Sequence, residues 1–108
     1  MSPAVGRSTQ TGIVWLSNGE DALVSFVQTA DRDYQAHLFF DSTCRGRKAL
    51  QAAREMLDWI KPFADMVWGA IPVGHKAALW FARRLGFQDA GESDFEEGRV
   101  ALVRMEFA

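Results

Sequence analysis

The spacing of apolar residues changes period at Ser42, and that change limits the folds open to the chain. Before it, residues 12–17, 22–28 and 34–41 are short runs rich in β-branched and aromatic side chains. Asn18-Gly19 and Asp31-Arg32-Asp33 separate them, and both are turn formers. After it, Ala49, Ala53, Met56, Leu57 and Ile60 recur at the spacing of one helix face. Lys48, Gln51, Arg54, Glu55, Asp58 and Lys61 fall on the opposite stripe, and Pro62 ends the helix. Residues 66–71 are continuously apolar, as in a strand of a parallel sheet buried on both faces. Strand, helix and strand in that order require parallel pairing through a right-handed crossover.

Pro72-Val73-Gly74 breaks the run, and a second helix is predicted over residues 75–85. Ala77, Ala78, Phe81, Ala82 and Leu85 lie along one of its sides. Gly86 stands where a left-handed cap belongs, and Phe87 can fold back onto the helix. Residues 87–90 read as a short strand, 91–98 as a polar turn and 100–107 as a last strand. In that strand Ala101, Val103, Met105 and Phe107 alternate on one face. The predicted order is β-β-β-α-β-α-β-β, a mixed α/β sheet with a helix on each face or both on one. A chain of 108 residues suits one domain, here 11–108, behind a flexible N-terminal arm over 1–10.

Twelve basic against fourteen acidic residues, net −2, argue against a broad nucleic-acid surface. The single cysteine, Cys44, allows no intrachain disulfide and fits a reducing compartment. No apolar run approaches the ~20 residues that span a membrane, and the first ten residues lack the apolar core of a signal peptide. The expectation is a cytoplasmic protein with neither a membrane nor a nucleic-acid partner. No pair of histidines has metal-ligand spacing and Cys44 has no cysteine partner, so no metal site is expected.

The chemistry concentrates between the third strand and the first helix, in Ser42-Thr43-Cys44-Arg45-Gly46-Arg47-Lys48-Ala49-Leu50. Three cations crowd a helix start that already carries about +0.5 charge, which costs the helix a few tenths of a kcal/mol each. A bound anion reverses that sign, and Gly46 lets the backbone approach it. The segment reads as a phosphate site, or else as an exposed basic turn. It is neither a P-loop nor a Rossmann glycine motif.

Together with Ile71-Pro72-Val73-Gly74-His75 and the run on to Gly86-Phe87, this loop resembles the GNAT family of N-acetyltransferases. In that family an Arg/Gln-x-x-Gly-x-Gly/Ala loop holds the coenzyme A pyrophosphate, and an Asn-x-x-Ala…Gly-Phe pattern follows beside the pantetheine. Arg45-Gly46-Arg47 matches the loop's opening. His75 takes the asparagine's place, Ala78 the alanine's, and Gln88-Asp89-Ala90-Gly91 the run after Gly-Phe. The resemblance covers roughly residues 34–108 and is nearest to small GNAT-like proteins of bacteriophages. It implies acetyl-CoA as co-substrate, with its pyrophosphate on the amides of Arg45, Gly46, Arg47, Lys48, Ala49 and Leu50. It implies a pantetheine path beside Phe39, Phe40, His75, Ala78 and Phe81, and a carbonyl polarised by an N–H near Phe40.

Three departures accompany it. Lys48 replaces the loop's second glycine, and Ala82 stands where many members carry a tyrosine that protonates the leaving thiolate. The family's first strand and two helices, which wall the acceptor groove, have no counterpart before residue 34 except the meander. The implied function is transfer of acetyl from acetyl-CoA to an amine of a small molecule or protein. The alternative is a GNAT-like module that binds coenzyme A or a protein without turnover, such as a phage accessory or virion component, in the host cytoplasm or the virion. A homodimer that completes the missing wall is a further expectation.

His37 and Asp41 are the candidate bases, since histidine titrates near neutrality and Asp41 shares its strand face. The plainer readings are a structural histidine and a capping aspartate. Cys44 reads as a small strand-end residue, with a reactive thiolate as the alternative. Trp15, Trp59, Trp68 and Trp80 read as core and rim packing, with a subunit interface as the alternative.

Overall fold

A computed structural model describes residues 4–7 and 12–107. The strands are β1 (Ala4–Arg7), β2 (Ile13–Ser17), β3 (Ala22–Ala30), β4 (Asp33–Phe40), β5 (Met66–Pro72), β6 (Gln88–Phe95) and β7 (Gly98–Glu106). The helices are α1 (Gly46–Ile60), between β4 and β5, and α2 (Lys76–Leu85), between β5 and β6. All seven strands form one sheet in the order β1-β2-β3-β4-β5-β7-β6. Every neighbouring pair is antiparallel except β4 and β5, which are parallel.

Asn18 organises the turn between β2 and β3. Its Oδ1 accepts from the amides of Glu20, Asp21 and Ala22, each at 3.0 Å. Gly19 supplies the positive φ of 80° that the turn requires.

Two right-handed crossovers stepping the same way across a sheet put their helices on one face, and α1 and α2 share one. Register carries that face across five strands. Leu16 opposes Val24, Phe26 opposes Ala36, Tyr34 opposes Val67 and Gly69 opposes Val103. These positions pack with Ala49, Ala53, Met56, Leu57 and Ile60 of α1 in a single core. The helix face read from the sequence is therefore the buried one.

The other face carries Trp15, Leu23, Ser25, His37, Phe39, Trp68, Ala70 and Leu102. No helix covers it among the described residues. Trp15 is 38% and Phe39 54% exposed.

Two elements differ from expectation. The polar turn predicted over 91–98 is strand as far as Phe95. β6 is an edge strand, exposed along almost its whole length, so it needs no apolar alternation to pair. Its ladder with β7 shifts register between Asp89 and Glu92. The arm predicted to be flexible over 1–10 contains β1, whose backbone pairs antiparallel with β2. Residues 1–3 and 8–10 lie outside the described residues.

Phe26 is fully buried at the centre of the core. Phe26→Ala should cost about 3–5 kcal/mol, the usual range for a large buried aromatic. Urea unfolding is the measurement, and the midpoint should fall with little change in the slope.

Candidate functional site

The parallel pair β4 and β5 is joined over only three positions. Asp33 pairs with Met66, Tyr34 with Val67 and Gln35 with Trp68. Beyond them the strands part, while β4 stays paired with β3 through Phe40 and β5 with β7 through Pro72. Every second residue of a strand points its N–H and C=O to one side. Along residues 36–40 those groups face a gap instead of a neighbour.

A cleft of about 490 Å³ fills the gap. Leu38, Phe40, Gly69 and Ile71 line its strand walls on the helix side, and Ala77, Ala78, Phe81, Ala82 and Leu85 of α2 roof it. This is the apolar side of α2 read from the sequence. Phe40 and Phe81 meet edge to face at 5.3 Å. The cleft also reaches the uncovered face, where His37, Phe39 and Trp68 line it. It is thus a slit through the sheet, widening towards the carboxyl end of β4. Ligand crevices of open α/β sheets form at that end.

The slit leads to the loop 41–45 and the start of α1. No acidic residue stands in the first turn of α1, and no side chain caps its first amides. Gly46 enters the helix with φ of 57°, a left-handed value natural to glycine. Arg45 and Arg47 are exposed and form no ion pair among the described residues. Open amides and the positive end of the helix dipole stand there beside two exposed arginines, a combination that suits a phosphorylated ligand.

Lys48 is engaged differently. Its Nζ donates to Asp21 Oδ2 at 2.6 Å, while its backbone stays in the first turn of α1. Asp21 is a buried carboxylate, its side chain 5% exposed. Its Oδ1 accepts from Asn18 Nδ2 at 2.7 Å, and its backbone oxygen accepts from the Asp41 amide at 2.8 Å. Lys48 foremost, then Asn18, holds the Asp21 carboxyl below its ordinary range. The β2–β3 turn therefore anchors the loop and the start of α1. No sequence pattern marked Asp21, because only tertiary packing brings it to Lys48.

His37 and Phe39 lie on the uncovered face, and His75, Ala78, Phe81 and Phe40 on the slit's helix side. His75 caps α2, its Nδ1 accepting from the Ala78 amide at 3.2 Å. Ala49 and Leu50 are buried. Asp41 turns back on its own loop, accepting from Ser42 Oγ at 3.1 Å and the Thr43 amide at 3.4 Å. Cys44 is buried, and burial pushes its thiol up, reinforced by the charge of Asp21; it is a packed thiol and not a thiolate. Trp68 went unmarked as a site residue because a tryptophan in an apolar run reads as core. Among the described residues no group of three or more His, Cys, Asp or Glu could hold a metal ion. Among the described residues no helix is long and apolar enough to cross a membrane.

Asp21 generates a pH-dependent contribution. A carboxylate with a depressed folded pKa stabilises the fold at pH above its ordinary value of 3.8. That contribution is lost as pH falls below it towards the folded value. Asp21→Asn should lower the melting temperature at pH 7, and the gap to the parent protein should narrow as pH falls below about 4. Thermal melts over that range measure it.

No family model and no curated protein matches the sequence. Solved structures do match the fold. A mutant spermidine N-acetyltransferase from Vibrio cholerae superposes with a TM-score of 0.78 at 12% identity, over 92% of this chain and 67% of that one. An aminoglycoside acetyltransferase in complex with coenzyme A and kanamycin gives 0.73 at 11% identity, over 90% and 68%. The same class of enzyme with ribostamycin and coenzyme A gives 0.74 at 11%, over 90% and 65%. The chain spans about two thirds of the length of these neighbours, and at such identities what it shares with them is the fold of the GNAT acetyltransferases.

Proposed function

We propose that the chain binds acetyl-CoA in the slit and transfers the acetyl group to an amine. The observation that carries this reading is the juxtaposition of a gap between parallel strands and a cationic helix start. The residues fit the group on two counts. The gap leaves backbone donors and acceptors of residues 36–40 open to a ligand that carries amides of its own. Arg45, Arg47 and the first amides of α1 present positive charge to a pyrophosphate.

When bound, acetyl-CoA supplies an activated acyl carbon. The amine nitrogen bonds to it, the C–S bond breaks, and the amine's proton is passed on as the thiol is released. The chain's own residues bind and orient. Phe40, Phe81, Ala78 and His75 wall the arm on the helix side. The proton acceptor in this reading is His37, which lines the slit on the other face. Such catalysis works chiefly by positioning, so it proceeds without a tyrosine on α2.

A second reading is a module that binds coenzyme A without turnover, such as an accessory or virion component of a bacteriophage. Ala82 favours it, because it lines the slit where many GNAT members carry the acid.

Calorimetry with acetyl-CoA and CoA tests the binding. Arg45→Glu with Arg47→Glu should weaken affinity about 100-fold, as expected for two charge-assisted contacts. His37→Gln should lower kcat about 100-fold, the low end for a general base, and leave CoA affinity unchanged. Binding with no thioester cleavage across an amine panel would select the second reading.

A further inference from the structure

Asp21 is the one charged side chain buried among the described residues. Burying a carboxylate is costly unless its oxygens find partners, and both do. Oδ1 accepts from Asn18 Nδ2 at 2.7 Å. Oδ2 accepts from Lys48 Nζ at 2.6 Å and from Thr43 Oγ1 at 3.5 Å. The backbone oxygen of Asp21 accepts from the Asp41 amide at 2.8 Å. One residue of the β2–β3 turn thus holds the loop before α1 at its start, in its middle and where the helix begins. Neither Asp21 nor Lys48 lines the slit.

The start of α1 needs such a hold. Arg45, Arg47 and Lys48 stand at its positive end, with no acidic residue in the first turn and no side chain capping the first amides. A helix start of that composition frays unless something outside it supplies the missing negative charge. Asp21 supplies it from 27 residues earlier in the chain. A serine or aspartate at the N-cap position would also steady the turn, by accepting from its second or third amide. That amide would then be closed to a ligand. Asp21 grips the Lys48 side chain instead, so the first turn is fixed while no side chain occupies its N–H groups.

We propose, resting on the acetyl-CoA reading, that Asp21 is a positioning residue for the pyrophosphate end of the cofactor: through Lys48 it fixes the first turn of α1 and leaves the amides of that turn free. Lys48 is then an anchor and not a phosphate ligand. Electrostatics alone makes the opposite prediction. A buried carboxylate beside an anion site repels the anion, so removing its charge would strengthen binding. Positioning requires that the same change weaken it.

The test is calorimetry with CoA on the whole chain, below the melting temperature of every variant, for Asp21→Asn, Lys48→Met and the two combined. The backbone bond to Asp41 remains in Asp21→Asn, so that variant reads the carboxylate alone. Lys48→Met breaks the same link at a side chain that is 54% exposed, and it should fold whatever Asp21→Asn does. Each single change should weaken CoA binding about tenfold, the scale of losing a helix cap. The double variant should be no weaker than either single one, because both remove one interaction. Ile60→Val, a mild loss of core packing at the far end of α1, should leave CoA affinity unchanged. Unchanged or tighter CoA binding in Asp21→Asn would overturn the proposal and leave the acetyl-CoA reading standing. So would additive losses in the double variant, which would make Lys48 a phosphate ligand, or an equal loss in Ile60→Val, which would reduce the effect to stability. A parent protein that binds no CoA would overturn the acetyl-CoA reading, and this inference with it.

Discussion

Three residue pairs hold β4 to β5, and the rest of the site depends on their stopping at Gln35 and Trp68. A parallel pair that continued to Phe40 would close the sheet, satisfy its backbone groups and leave no slit. Stopping early leaves polar backbone along both walls, which native proteins tolerate only where water or a ligand can reach it. The sheet holds because each strand keeps its other neighbour. β4 is braced by β3 over its whole length, and β5 by β7. The gap is therefore a fixed feature of the frame, and α2 closes one side of it with small residues and Phe81.

The start of α1 shows a second constraint, electrostatic in kind. Cations at a helix N-terminus work against the dipole, yet the loop there is held firmly. The Asp21–Lys48 pair neutralises one cation and ties the helix start to the β2–β3 turn, while Cys44 packs beneath it. Arg45 and Arg47 are left outward. One of the three basic residues thus anchors the loop, and two remain for a ligand.

Periodicity made much of this fold legible. The α1 stripe and the Gly86 cap appear as they read in the sequence; β5 forms where its apolar run stands but is buried on one face and not on both, because no helix covers the other among the described residues, and β7 ends at Glu106, short of Phe107. Those signals are local and tied to burial. Where burial is absent the signal fails: β6 is solvent-exposed and reads as a turn. The site divides in the same way. His75, Ala78 and Phe81, singled out by the family resemblance, line the slit. Asp21 and Trp68 could not be singled out, because their importance comes from partners 27 and 33 residues away, Lys48 on α1 and Gln35 on β4. The choice between one helix per face and two on one face also needed strand order, which no single segment encodes.

The exposure of β6 has a colloidal consequence. A sheet with an uncovered apolar face and an open edge has two directions in which molecules could stack. At the β6 edge the ladder is irregular between Asp89 and Glu92, and the strand carries Asp89, Glu92 and Asp94 with their arginine partners. Bulges and charges of this kind discourage another strand from adding on. Extension into fibre-like assemblies is thus opposed along that edge.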